Sequence, residues 1–552
     1  MDTNQLKFIP LGGITDVTKN MYLYEYGDEI LIIDCGLGFA DETMLGVDLL
    51  LPDVSYLLKS NKKIAGMIIT HGHEDHLGAL PYVLPQLPSF PIYASPLAAA
   101  FANAKLKEFN LDARVKAVSF DGGEISIGSF KASFIRMTHS VPDTANIFIK
   151  TPVGNFYHGS DYKFDLTPAD EKKTEFAKIL EASKQGVSCL MSDCLRAEKG
   201  GYTPSESDLS ESFEVEMRRT SGKFILTTYS SNISRLNQAI QIARKLGRKV
   251  CFVGRSLLKA KEIACDLGYM KLDKNMEVPI NQLKRFKDNQ LVLFVAGSQG
   301  QQNSALSRIA QGDFKEVKLS ANDVVVFSSD PIPGNEVNIN FLIDTISKKG
   351  ARVVYSAISD DFHVSGHGAS MELMLMMSLL KPRRVLPIGG TYRQMVAYKN
   401  LARRQGYQDG EILIPEDGQE VIFTKETATL GKKIEARNIY VDEISGEEVE
   451  HFVLRDRQRI AKDGVVIVLA EIDSTNGSIM NNPTIIIRGM GTDDSSLISQ
   501  RLTEELKRNL IKKDSKVTDW LYIRKKVGDI SESFIYKTIK KSPLVLPVVI
   551  EI

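Results

Sequence analysis

Within six residues, His71-Gly72-His73-Glu74-Asp75-His76, the chain sets three imidazoles and a pair of carboxylates directly after the apolar run Met67-Ile68-Ile69-Thr70. Imidazole and carboxylate suit a cation such as zinc. On one loop, His71 and His73 can face one metal while Asp75 and His76 face a second. Three of the chain's eight histidines fall in this hexapeptide, so a polar loop with incidental histidines is the poorer reading. Farther on, His139 follows the apolar run Ala132–Met137, and Asp161 follows Gly154–Tyr157. Alone, such a histidine is more often a hydrogen-bonded structural residue, and such an aspartate a cap or turn. Joined to the hexapeptide, they complete a two-metal cluster with Asp161 as the bridging carboxylate. Two cations roughly 3.5–4 Å apart lower the pKa of a shared water and hold charge that develops on a phosphodiester.

These residues need strand ends to hold them. The first 200 residues read as short strands broken by Gly and Asp, including Met21–Tyr26, Ile30–Asp34, Ile64–Thr70 and Ile147–Thr151. A helical stretch, Pro96–Phe109, falls among them. From about Pro204 to Tyr355 strands and helices alternate: strands Phe224–Thr228, Val250–Val253, Leu291–Ala296 and Val324–Ser328, helices Ile233–Leu246, Leu257–Leu267 and Val337–Lys348. That is a parallel α/β layout. Thr429–Glu450 is polar, lacks periodicity and reads as a connector. The tail gives strands Val465–Ile472 and Thr484–Ile487 and a helix, Ser495–Lys512. Its apolar stripe of Leu497, Ile498, Leu502, Leu506 and Leu510 packs on its own sheet or on a partner subunit.

The chain as a whole sets limits. Its 552 residues are too many for one ordinary domain. Lys+Arg and Asp+Glu number 69 each, which argues against a surface-wide polyanion binder but not against a local basic groove. Five cysteines, with no C-x-x-C pair, indicate neither a disulfide framework nor a cysteine zinc site and point to a reducing cytoplasm. The N-terminus shows no signal pattern, and no apolar run spans a membrane.

The order of motifs resembles the metallo-β-lactamase superfamily, with Asp34 in Ile33-Asp34-Cys35-Gly36 as its structural first aspartate. More specifically, much of the chain resembles the ribonuclease J family of β-CASP nucleases. The matching stretches include Ile9–Gly13, Lys19-Asn20-Met21, Thr70–Tyr82, Ser231-Asn232, Gly254-Arg255-Ser256, Gly297–Gly300, Pro331–Glu336 and His363–His367. The resemblance implies a four-layer αβ/βα sandwich with an inserted β-CASP α/β domain and a small C-terminal α/β domain. The expected division is residues 1–203 and 356–428 for the hydrolase domain, 204–355 for the insertion, 429–450 for a linker and 451–552 for the C-terminal domain. It implies metal ligands His71, His73, Asp75, His76, His139 and Asp161. Asp75, Asp193 and His367 become catalytic, with His367 a candidate proton donor to the leaving oxygen. His363, Val364, Ser365, Gly366, His367, Arg255 and Ser256 become substrate-binding. Asp193 is equally well read as a strand-end cap, and Gly254-Arg255-Ser256 as a turn.

Two departures stand out. The family's last metal histidine lies in Pro-x-His-Gly-Glu, and here the stretch reads Pro387-Ile388-Gly389-Gly390-Thr391. The second metal keeps Asp75, His76 and Asp161 but loses its final ligand. Water, His158 or His363 is left to replace it. Asp16 also stands where the family has glutamate. The resemblance implies a zinc-dependent ribonuclease, with manganese or magnesium as substitutes. Its expected action is 5′-to-3′ exonuclease with endonuclease capacity, in RNA maturation and decay. The substrate is RNA with a 5′-monophosphate, reached through a cleft that Arg383, Arg384, Arg255 and Lys163 are expected to line. A homodimer or homotetramer, free of membranes and cytoplasmic, is expected. Two other readings remain: a catalytically weakened RNA-binding subunit, motivated by Gly389, and a hydrolase of thioesters or lactams, which needs no such insertion.

Overall fold

The computed structural model describes residues 4–41, 43–332, 334–442, 446–473, 480–491, 495–510 and 520–552. Residues 1–39 and 50–439 form one unit, and residues 40–49 and 440–552 a second.

In the first unit, the apolar runs of the N-terminal third become strands of two facing sheets. One sheet has eight strands, in the order Ala428–Lys433, Gln419–Phe423, Leu6–Gly12, Met21–Tyr26, Glu29–Ile33, Lys63–Ile69, Ile92–Ala94 and Val115–Ala117. The other has six, in the order Val385–Ile388, Cys189–Asp193, Asn155–Gly159, Ala145–Lys150, Phe130–Arg136 and Glu124–Ile127. Phe8, Tyr22, Tyr24 and Leu31 from the first sheet meet Phe134, Ile147 and Phe156 from the second in one shared core. Helices Phe176–Lys184, Ser370–Leu380 and Tyr392–Arg404 pack on one another and on the six-stranded sheet. This is the αβ/βα sandwich that the motifs imply.

The topology decides where chemistry collects. Strands 155–159, 189–193 and 385–388 run parallel, and 130–136 shares their direction through two antiparallel pairings. Their C-terminal ends therefore share one rim. His139, Asp161, Asp193 and Gly389 all lie at or just after those ends. The hexapeptide follows the end of 63–69 in the other sheet.

A third sheet is wholly parallel, in the order Lys249–Val253, Leu291–Val295, Phe224–Thr227, Val324–Phe327 and Arg352–Val354. Helices Ile233–Lys245 and Arg255–Asp266 cover one face, and Ala305–Gln311 and Glu336–Lys348 the other. Burial on both faces explains why its strands are unbroken apolar runs.

One sequence expectation fails locally. The polar stretch read as a connector holds two strands, Ala428–Lys433 and Asn438–Val441. The first pairs antiparallel with Gln419–Phe423 at the sheet's edge. An edge strand with both faces partly wet carries no apolar alternation to read.

In the second unit, Val465–Ile472 lies between Thr484–Arg488, antiparallel, and Leu544–Glu551, parallel. Helices Ser495–Leu510 and Trp520–Ile539 cover one face, where Val466, Val468, Leu502, Leu506, Ile523 and Val527 are buried together. The predicted stripe thus packs on the chain's own sheet, except that Leu497 is 41% exposed. Positions 511–512 of that predicted helix, and Pro333 of the Pro331–Glu336 motif, lie outside the described residues. Val47 packs with Val449 and Leu454, and Arg457 donates to the carbonyls of Leu45 and Gly46. Among the described residues the five cysteines are free, four of them buried, and no helix is long and apolar enough to cross a membrane.

Candidate metal centre

Asp161 is the hub. Its Oδ2 lies 3.6 Å from His71 Nε2, 3.3 Å from His76 Nε2 and 3.7 Å from His139 Nε2. His73 Nδ1 stands 3.1 Å from both His71 Nε2 and His139 Nε2. Asp75 Oδ2 is 3.5 Å from His76 Nε2. All six sequence-predicted ligands are therefore brought together, in two groups that share Asp161: His71, His73, His139, Asp161 and Asp75, His76, Asp161.

The outer nitrogens settle which way the lone pairs point. His139 Nδ1 must donate to the carbonyl of Gly366, 2.8 Å away. His76 Nδ1 donates to Asp34 Oδ2 at 2.7 Å. Thr70 Oγ1 gives its proton to Asp34 Oδ2, so it accepts from His71 Nδ1 at 3.0 Å. Each of these rings then turns its Nε2 toward the same small volume. Converging lone pairs repel one another unless a cation lies between them, so the donor set fits divalent metal. Burial pushes His71 and His139 well below the usual imidazole value and His73 to about 3, which keeps all three neutral and ready to ligate. Burial alone would lower His76 as well, but Asp161, Asp75 and Asp34 hold it well above its ordinary value. Burial raises Asp75 to about 6.

Asp34 shows its role directly. It has φ +62° and accepts from the Thr70 backbone N–H at 2.7 Å besides the two bonds above. It holds the hexapeptide loop and contributes no ligand atom. Asp193 and His367 form a pair, with His367 Nδ1 2.7 Å from Asp193 Oδ2 and Nε2 3.8 Å from Asp161 Oδ2. Burial works against protonation of His367, yet Asp193 and Asp161 beside it raise it to about 9.

The His363–His367 segment is knotted into the protein. The buried Arg235 donates to both oxygens of Glu206 at 2.7 Å, to the carbonyls of Ser328 at 2.7 Å and Val364 at 2.9 Å, and to His363 Nδ1 at 2.8 Å. His363 Nε2 in turn faces Asp330 at 3.1 Å. Ser365 Oγ accepts from the His367 N–H at 3.3 Å. Both nitrogens of His363 are thus engaged away from Asp161. His158 turns into the core, its Nδ1 3.1 Å from the Tyr24 hydroxyl and its ring against Tyr22. Neither replaces the missing histidine in this arrangement.

Gly389 has φ +64°, and a Cβ built there would meet only Asp161 Oδ1, at 3.9 Å. Asp16 is occupied locally, accepting from Thr18. Arg255 and Ser256 are exposed at the start of helix 255–266, where Ser256 bonds Ser230 at 2.8 Å. Three residues expected along an RNA cleft are placed otherwise. Lys163 is buried against the Pro204 carbonyl and Asp165. Arg383 and Arg384 precede strand 385–388, at the opposite end from Gly389, and bond the carbonyls of Lys425 and Glu426.

Sequence reasoning gave no role to Asn20, whose Nδ2 donates to the Asp75 carbonyl and stands 3.2 Å from His76 Nε2. It also missed Ser140, 3.3 Å from His73 Nε2, and the Arg235–Glu206 pair. An arginine on an amphipathic helix reads as solvated, and only the fold reveals it as buried.

A histidine–aspartate cluster fit for divalent metal at the rim of an αβ/βα sandwich defines a metallo-β-lactamase-type protein. Residues 14–148 match the metallo-β-lactamase superfamily, 221–346 the ribonuclease J β-CASP domain, 356–415 the zinc-dependent metallo-hydrolase RNA specificity domain and 452–552 the ribonuclease J C-terminal domain. Ribonuclease J2 of Bacillus subtilis is 32% identical over 100% of this chain and 99% of its own. Ribonuclease J 1 of Streptococcus pyogenes is 35% identical over 99% and 98%, and ribonuclease J of Thermus thermophilus 35% over 99% and 96%. The chain belongs to the ribonuclease J family. A solved Enterococcus faecalis protein of unknown function shares the fold, with TM-score 0.56 and 15% identity over 76% of this chain and all of that one.

Proposed function

We propose that this chain is a metal-dependent ribonuclease. It hydrolyses RNA phosphodiesters from a 5′-monophosphorylated end, with some internal cleavage, in RNA maturation and decay. The observation that carries this is the convergence of four histidines and two aspartates, in two groups that share Asp161, in a member of the ribonuclease J family. Divalent cations held there, zinc or else manganese or magnesium, would supply the nucleophile by acidifying water and would neutralise charge on the phosphate.

The chain's own residues do the rest. His71, His73, His139 and Asp161 would hold the first cation, and Asp75, His76 and Asp161 the second. Asp34 and Gly366 fix the rings of His76 and His139. Asp193 fixes His367, so that Nε2 is what this pair offers the reacting phosphate. His363–His367, braced by Arg235, forms one wall of the substrate site, and Arg255 with Ser256 contacts RNA farther out. We take residues 204–355 as the insertion between hydrolase segments 1–203 and 356–428. The protein works in the cytoplasm as a homodimer or homotetramer.

Mononucleotide release from 5′-monophosphorylated RNA, measured beside bound metal per chain, tests this. His73→Ala should abolish release and lower the metal count. Release that survives the substitution would refute the reading. A wild type that binds RNA but never cleaves it would favour the weakened-subunit reading that Gly389 motivates.

A further inference from the structure

Glu372 lies in the first turn of helix Ser370–Leu380 and is fully buried. A glutamate at that position ordinarily caps its own helix, accepting the backbone N–H just ahead of the first turn. Glu372 does this, with Oε2 2.7 Å from the Ala369 nitrogen. A cap needs one donor, and Glu372 takes two more. Its Oε2 also accepts from the Thr203 N–H at 2.7 Å, and its Oε1 from the Phe164 N–H at 2.8 Å. Those residues stand 169 and 208 positions away in the chain. Phe164 follows Asp161 closely, Ala369 follows His367 closely, and Thr203 immediately precedes the segment taken above as the insertion.

We infer that Glu372 is a positioning residue, which sets His367 against Asp161 and pins both to the chain's crossing into the insertion. The inference deepens the ribonuclease reading above, and its kinetic half rests on that reading. The same three segments also bond one another directly. Thr203 Oγ1 donates to the His367 carbonyl at 2.7 Å, and the Gly368 N–H to the Tyr162 carbonyl at 2.7 Å. Backbone from 162–164, 203 and 367–369 thus surrounds one carboxylate. Asp161 and His367 adjoin this node, with Asp161 Oδ2 and His367 Nε2 3.8 Å apart. Glycine at 368 makes room for it, because a Cβ there would lie 2.9 Å from Glu372 Cβ and 3.3 Å from the Tyr162 carbonyl oxygen. Hydrogen bonds from N–H groups to a carboxylate are of the strong, charge-assisted kind. Without the carboxylate, three buried N–H groups lose their acceptor, and their segments must shift to find others. That shift falls where the phosphate reacts, and a misplacement of about 1 Å there costs on the order of 100-fold in rate.

Hydrogen exchange read by mass spectrometry, beside steady-state cleavage of 5′-monophosphorylated RNA, tests this in the full chain. Glu372→Gln keeps the side chain's shape but turns one acceptor into a donor. Peptides covering 162–164, 201–203 and 367–369 should then lose protection together, by at least about tenfold, while strand 189–193 keeps its own. The kcat should fall about 10–100-fold, with KM within about twofold of wild type. Leu380→Ala, buried in the same helix, is the control for lost stability and should keep its kcat. Thr203→Val removes only the hydroxyl's hold on the His367 carbonyl. It guards against a folding loss in Glu372→Gln and should lower kcat in the same direction by a smaller factor. Lost protection confined to 367–369 would reveal an ordinary cap and overturn the inference. Full kcat in Glu372→Gln or Thr203→Val would do the same, as would an equal fall in Leu380→Ala. A wild type that cleaves no RNA would sink the ribonuclease reading instead, and the exchange pattern would still decide the inference.

Discussion

Gly366 cannot carry a side chain where it stands. A Cβ there would lie 2.6 Å from His139 Nδ1 and 2.8 Å from the Ser140 nitrogen. Its carbonyl is also the acceptor that fixes the His139 ring. Gly366→Ala should therefore push His139 off the first cation. Isothermal titration should show weaker metal binding at that site, while circular dichroism stays native. Unchanged metal affinity would show that the ring has room the geometry denies. The residue scale is also where sequence reasoning read best. Type and spacing singled out His71, His73, Asp75, His76, His139 and Asp161, and the structure brings all six together. What was not legible was aim. His363 and His367 look alike in the chain, yet Arg235 and Asp330 hold one away and Asp193 turns the other inward.

At the scale of elements, four strands with a common direction end at one rim, and that explains why residues far apart in sequence meet. The alternation of runs and breaks revealed most of these strands. It failed at Ala428–Lys433, where an edge position removes the pattern, and it could not show which strands pair. It also hid the brace across helix 233–245. Arg235 is fully buried and bonds Glu206, two backbone carbonyls and His363. Removing one partner of a buried ion pair leaves the other charge uncompensated, at a cost of about 3–5 kcal/mol. Arg235→Ala should lower stability by about that amount in urea unfolding and raise KM for RNA, through a loosened 363–367 wall. A shift under 1 kcal/mol, on the order of a surface pair's worth, would show the pair to be dispensable.

For the whole molecule, the C-terminal unit buries one face of its sheet under its own helices and leaves the other open. Leu546, Val548 and Ile550 on the last strand are each more than 40% exposed, with Ile486 beside them at 36%. Registers place Leu546 and Ile486 on either side of Ile467, on one face. The helix 495–510 has spent its stripe internally, so the open sheet face is the better surface for self-association. Val548→Glu should reduce the proposed homodimer or homotetramer to a smaller species by light scattering, without loss of the folded unit. An assembly that keeps its mass would assign self-association elsewhere.

The same unit borrows residues 40–49 from near the start of the chain, with Val47 seated against Val449 and Leu454. A ribosome makes Val47 some four hundred residues before its seat. Until residues 449–454 emerge, that side chain lacks the partners that cover it. A polypeptide released before them would leave Val47 bare, whereas the folded unit buries it.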